Sequence, residues 1–138
     1  MNWREVYGAA YLKHFAAKHP EAIATRNFIV KFPSVTKANG LTTFIINYLT
    51  WMGHRSTRIS SAGRYIKGKG YIKGPTRVGS ADVSATIRGK AVMLEVKVGS
   101  DTPSPDQLKE QAKERAAGGI YEFVYDPESF LLLYNSLI

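Results

Sequence analysis

The sequence predicts an α/β sandwich, with a central mixed sheet flanked by helices, and three stretches carry that prediction. The first is GSADVSATIRGKAVMLEVKVG, Gly79 to Gly99, where apolar and polar residues alternate on both sides of a tight turn, as in a β-hairpin. In the second, Leu41, Phe44, Ile45, Tyr48, Leu49 and Met52 fall at i, i+3, i+4, i+7, i+8 and i+11. That spacing makes one face of a helix, which Gly53 ends. The third stretch follows the hairpin: a helix opening at Ser104, then an alternating strand from Ile120 to Tyr125. Strand–helix–strand implies a right-handed crossover to a parallel neighbour, so the sheet is mixed.

The other elements follow in chain order. Residues 2–18 suit a helix with Trp3, Val6, Tyr7, Ala10 and Phe15 loosely on one side. Pro20 and Pro33 bracket a segment whose apolar run, Phe28-Ile29-Val30, fits no single element. Residues 1–37 are therefore set apart as an N-terminal helical extension, and 38–138 as the main domain. His54 to Ile59 can form a strand, ended by a Ser-Ser-Ala-Gly turn. RYIKGKGYIKGPTR then nearly repeats itself, and its glycines and Pro75 suggest an exposed loop or irregular hairpin. For the helix after Gly99, Ser104 is a suitable N-cap, Pro105 fits the first helical position and Gln107 can close a capping box. That helix runs to about Ala117, before Gly118-Gly119. Asp126-Pro127 starts a last helix through Leu137. In that helix Phe130-Leu131-Leu132-Leu133-Tyr134 is apolar around more than one face, so either the surplus meets a partner, as in a two-fold homodimer, or the helix is fully buried in its own domain.

Charge narrows the partner. The formal net charge is +8, and its placement is uneven. Between Glu21 and Asp82 there are ten Lys and Arg and no carboxylate, whereas the rest of the chain is slightly acidic. Such an interval fits a polyanion, because Lys and Arg displace counterions from phosphates. No strongly basic amphipathic helix points to a lipid surface, so nucleic acid is the expected partner. Arg55, Arg58, Arg64, Lys67, Lys69, Lys73 and Arg77 are the candidate phosphate contacts. Tyr65 and Tyr71, set between lysines, either stack on bases or pack on the sheet. The chain has no cysteine, which removes disulfides and thiolate metal sites. Its start, MNWREVYGAAYLKHF, lacks the apolar core of a signal peptide, and no apolar run reaches the ~18 residues of a membrane span. An intracellular protein without membrane contact is expected.

The chemistry is expected in the hairpin. A symmetric turn centred on Arg88-Gly89 pairs Ile87 with Lys90, Val83 with Leu94, and Asp82 with Glu95. Ala81, Val83, Ala85, Val92, Leu94 and Val96 then share one apolar face, while Asp82, Ser84, Thr86, Met93, Glu95 and Lys97 share the other. Opposed carboxylates repel unless something neutralises them. Two hard oxygen donors suit Mg²⁺, and a lysine beside them can orient water or stabilise phosphorane charge. A surface Asp–Glu pair balanced by Lys97 has the same composition. The histidines show no metal-ligand spacing. Gly63 to Gly70 imitates a phosphate-binding loop, but Gly70 replaces the required Ser or Thr and Gly74-Pro75 opposes a following helix.

Gly79-Ser80-Ala81-Asp82, Glu95-Val96-Lys97, Ser104-Pro105-Asp106-Gln107 and Gly118-Gly119-Ile120-Tyr121 together resemble the PD-(D/E)XK nuclease superfamily, in particular its VRR-NUC branch. The likeness spans about residues 38–135. It implies a restriction-endonuclease-like α/β sandwich related to Holliday-junction resolvases. It further implies Mg²⁺ or Mn²⁺ held by Asp82, Glu95 and the carbonyl of Val96, with Lys97 assisting the nucleophilic water and Gln107 an active-site helix residue. Gln107 thus has a capping role and an active-site role, and both can hold. Many relatives carry a Glu on the first core helix, where this chain offers only Thr42, Thr43 or Asn47, which leaves the number of metals open. The expected function is metal-dependent hydrolysis of DNA, with branched or junction DNA as candidate substrates. The competing expectation is a DNA-binding module on the same fold that cleaves weakly or not at all. A small basic structural protein would explain the charge but not the opposed carboxylates.

Overall fold

The hairpin forms because its turn residues accept what the twist of paired strands demands. Arg88 and Gly89 both have positive φ, 51° and 79°, as a two-residue type I′ turn requires. This closes β4 (Val83–Ile87) on β5 (Lys90–Val96) with Ile87 against Lys90 and Val83 against Leu94, the register the alternation predicts. The computed structural model describes residues 2–26, 28–59, 64–72 and 81–138. Around the hairpin stand α1 (Trp3–Lys18), α2 (Pro20–Ala24), α3 (Ala38–Trp51), β1 (Arg55–Arg58), β2 (Arg64–Ile66) and β3 (Gly70–Ile72) before it. After it come α4 (Pro105–Ala116), β6 (Ile120–Val124) and α5 (Pro127–Leu137).

Four strands make the main sheet in the order β1-β4-β5-β6. β1 and β5 run antiparallel to β4, while β6 is parallel to β5, as a return through α4 requires. The sheet is mixed, as predicted. β2 and β3 form a separate two-stranded ribbon, so the described part of the stretch read as a loop or irregular hairpin, residues 64–72, is a hairpin, and residues 73–77 lie outside the described residues.

One face of the main sheet is the core. Val83, Ala85, Ile87, Val92, Leu94, Val96 and Val124 are buried there against side chains of α1, α3 and α5. Phe44 of α3 is its centre: it stacks on Tyr7 at 5.2 Å between ring centroids and meets Trp3 and Phe130 edge-on at 5.4 and 5.7 Å. α1 thereby shares the buried cluster of the main domain. A side chain at Gly40 would collide with the Ser34 backbone, so the first turn of α3 can lie this close only with glycine there. Phe44→Ala should cost about 3–5 kcal/mol in urea unfolding; a loss under 1 kcal/mol would show that the aromatic cluster does not hold α1 on α3.

α5 buries Phe130, Leu131 and Tyr134, with Leu133 and Leu137 packed partly against the same core. Most of its wide apolar face is thus used within the domain. Leu132, 67% exposed, is what a two-fold contact on this helix would have to be built around. Among the described residues, no helix is long and apolar enough to cross a membrane.

Candidate active site

The other face of the sheet is polar at its centre. Register places Ser84 level with Met93 on the hairpin, and Met93 level with Tyr121 of β6. Alternation adds Glu95 and Lys97 to the same face. One pair beyond Val83 and Leu94, Asp82 comes level with Glu95. Its carbonyl accepts the Ile59 N–H at 2.7 Å, so β1 fixes its backbone from the other side.

At this point the ladder departs from a plain hairpin. The next rung would join Ala81 to Val96, but the Val96 N–H is taken by Asp82 Oδ2 at 2.9 Å. The Lys97 N–H bonds Val124 O at 2.8 Å, toward β6. Backbone groups alternate sides along a strand, so the Val96 carbonyl faces the β4 side, where Asp82 stands. The hairpin thus brings Asp82, Glu95 and the Val96 backbone together.

Glu95 and Lys97 are both buried, with 5% and 6% exposure. Glu95 Oε1 accepts from Gln107 Nε2 at 2.7 Å and lies 3.4 Å from Lys97 Nζ. Glu95 Oε2 is also buried, and among the described residues no donor reaches it. Burial, and then the charge of Asp82, push the Glu95 carboxyl up to about 7 against the opposing pull of Lys97. An orphaned carboxylate oxygen beside a second carboxylate is a place where a divalent cation would fit, because it would relieve both the missing partner and the repulsion. Asp82, Glu95 and the Val96 carbonyl are the residues that would hold it. Among the described residues no group of three or more His, Asp or Glu forms a fuller ligand set.

Gln107 completes the capping box foreseen for it and also reaches Glu95. Its Oε1 accepts the Ser104 N–H at 2.9 Å and its N–H donates to Ser104 Oγ at 3.2 Å, a complete capping box. That leaves Nε2 to donate to Glu95. α4 has no buried residue, and its half-buried side, Gln107, Glu110, Gln111 and Glu114, is polar. Gln111 Nε2 holds the helix to Tyr121 O at 2.9 Å, and Arg115 reaches Glu122 at 2.7 Å.

Two neighbours were not singled out in the sequence as site residues. Asp101 Oδ2 lies 3.6 Å from Lys97 Nζ, so the lysine has a second acid to lean on. Tyr121 is buried on the site face, and burial followed by the charges of Glu95, Asp82 and Glu110 raises its hydroxyl pKa far above the ordinary value. An i,i+4 acid after Lys97 and a tyrosine one strand over were the available signals, but neither spacing marks a site without the register.

The described basic residues stand on different elements. Arg55 pairs with Thr86 and so sits on the carboxylate face, exposed. Arg58 pairs with Val83 and turns to the α3 side, where Nη1 donates to Asn39 Oδ1 at 2.6 Å and Nη2 lies 3.4 Å from Thr43 Oγ1. Lys67 and Lys69 are exposed on either side of Gly68 at the tip of the β2–β3 ribbon, and Arg64 begins β2. Lys73 and Arg77 lie outside the described residues. On α3, Thr42 bonds its own helix at Ala38 O, Thr43 takes Arg58, and Asn47 donates to Tyr7 at 3.1 Å.

Fold and site define a mixed-sheet α/β domain with two carboxylates, a lysine and a glutamine assembled at the end of a β-hairpin. No family model matches the chain, and no curated protein does. Among solved structures, one described as a VRR_NUC domain is similar, with a TM-score of 0.49 and 21% identity, over 70% of this chain and 92% of that one. A likeness of that extent describes shape, and the reading below rests on the residues.

Proposed function

We propose that the chain is a metal-dependent nuclease that hydrolyses DNA phosphodiester bonds, using Asp82, Glu95, Lys97 and Gln107. The observation that carries this reading is the buried Glu95: one oxygen is held by Gln107 and Lys97, the other meets no donor among the described residues, and Asp82 stands beside it. A bound Mg²⁺ or Mn²⁺ would polarise a phosphate oxygen and lower the pKa of a water. The chain's own residues supply the rest. Asp82, fixed by the Val96 N–H, and Glu95, fixed by Gln107, present their remaining oxygens in a set direction. Lys97 Nζ lies next to where a phosphate would develop extra negative charge, and its second acid, Asp101, lies 3.6 Å from it. Arg55, exposed on the same face, and Lys67 and Lys69, exposed at the ribbon tip, would supply positive charge to the backbone of a bound strand.

The alternative is a DNA-binding module that has lost cleavage, and one observation favours it. The ligand set has two carboxylates, and Lys97 already neutralises one of them. The discriminating experiment is a panel of labelled linear, flapped and four-way-junction DNAs incubated with Mg²⁺, Mn²⁺ or EDTA. Products with either metal and none in EDTA support the nuclease; tight binding without products supports the module. Replacing Lys67 and Lys69 together with alanine should also lower the salt slope of duplex affinity, by about 0.9 per lost phosphate contact. An unchanged slope would take the ribbon tip out of the interface.

A further inference from the structure

The β2–β3 ribbon carries a feature that the proposed chemistry does not use. Tyr65 and Tyr71 are direct cross-strand partners, so both rings stand on the same face of the ribbon. Neither is packed on the main sheet: they are 75% and 70% exposed. Two large neighbouring rings left in water carry a hydration cost that a flat ligand would remove. The charge around them identifies that ligand. Lys67 and Lys69 are exposed at the tip next to the rings, and no carboxylate occurs anywhere from residue 22 to residue 81. An anionic chain bearing flat bases complements this surface, and an acidic peptide would bring no stacking faces.

We infer that the Tyr65–Tyr71 pair is a stacking platform for unpaired DNA bases, with Lys67 and Lys69 on the flanking phosphates, so that the nuclease acts next to a single-stranded stretch. The inference rests on the DNA-cleaving reading above and names its substrate class. Unpaired bases are required because a duplex spends its base faces on its own stack and offers side chains only base edges and backbone. Covalent connection keeps the platform near the chemistry. Arg64, the first ribbon residue, is five residues from Ile59, so their Cα atoms are at most about 18 Å apart. The Ile59 N–H is itself bonded to Asp82 O. A strand stacked on the ribbon is therefore held within a few nucleotides of Asp82.

The test compares wild type, a Tyr65→Ala/Tyr71→Ala variant and a Tyr65→Phe/Tyr71→Phe variant, all as the full chain. Affinity is measured in EDTA for a single strand, a duplex with a single-stranded flap and a blunt duplex of equal length. A 2-aminopurine in the single strand reports stacking by its quenching. The alanine pair should lose about tenfold or more on the single strand and flap, with less quenching. It should lose under about threefold on the blunt duplex, where only phosphate contacts act. The phenylalanine pair should keep wild-type affinity, since it keeps both rings. Unchanged single-strand affinity in the alanine pair, or an equal loss on the blunt duplex, would overturn the platform. Because no cleavage is needed, the two readings fail separately: wild type that cuts while the alanine pair binds normally removes only the platform. Loss of stacking in a protein that never cuts removes only the nuclease.

Discussion

Asp82→Asn is expected to abolish metal-dependent cleavage while DNA affinity in EDTA holds or tightens. The substitution keeps the shape of the side chain and its acceptor oxygen, so the Val96 N–H keeps a partner and the hairpin end stays in place. What it removes is one negative charge. That charge is one of the two that would attract a divalent cation, and it would also repel an approaching phosphate. Losing a partner that merely supports a ligand already costs about 10–100-fold in metal affinity or activity. Losing a ligand should cost at least about 100-fold, while plain DNA binding gains from the lost repulsion. Gel analysis of labelled DNA and anisotropy in EDTA measure the two quantities on the same protein. If cleavage were unchanged, Asp82 would have no place in the site.

Glu95→Gln should also stop cleavage, and in EDTA it should make the fold more stable at alkaline pH. Folded Glu95 titrates near 7, against an ordinary value of 4.5, because it is buried and faces Asp82. Between those two values the unfolded chain has released this proton and the folded chain retains it. Stability contributed by the group therefore falls as pH rises from about 4.5 to about 7, and stays low above that. Glutamine keeps the shape, carries no charge and removes the penalty. The expected gain at pH 8 is on the order of 1–2 kcal/mol, or several degrees in Tm, shrinking toward pH 5. A variant that loses stability at pH 8 would mean that the carboxylate is held there by its protein partners and that nothing further is needed to satisfy it.

The hairpin was legible because its two signals agree. Arg88-Gly89 sets the turn and the alternation of Val83, Ala85, Val92 and Leu94 sets the face, so one register satisfies both. Opposition of Asp82 to Glu95 follows from that register. The complete capping box at Ser104 was equally local, although its second use by Glu95 depends on where α4 lands. Arg58 shows the reverse. The β1 sequence Arg-Ser-Thr-Arg has no apolar residue to choose a face, and only pairing with β4 turns Arg58 toward Asn39 and sets Arg55 on the sheet face that carries the carboxylates. Tyr121 was hidden for a similar reason: an aromatic in an alternating strand reads as core, and its charged neighbours are Glu95 of β5, Asp82 just before β4 and Glu110 of α4. Nor could the N-terminal segment show its attachment. Its apolar spacing is loose, and Tyr7 finds Asn47 and Phe44 roughly forty residues along the chain.

Asp82, Glu95 and Lys97 are proposed to act together as one metal-dependent nuclease site. The most direct measurement is nicking of supercoiled plasmid by wild type, Asp82→Asn and Lys97→Ala side by side, with Mn²⁺ and with EDTA. Wild type should convert supercoiled to open-circle DNA with Mn²⁺ and leave it intact in EDTA, and neither variant should nick under either condition. Nicking by wild type that persists in EDTA, or that survives in Asp82→Asn, would contradict the account.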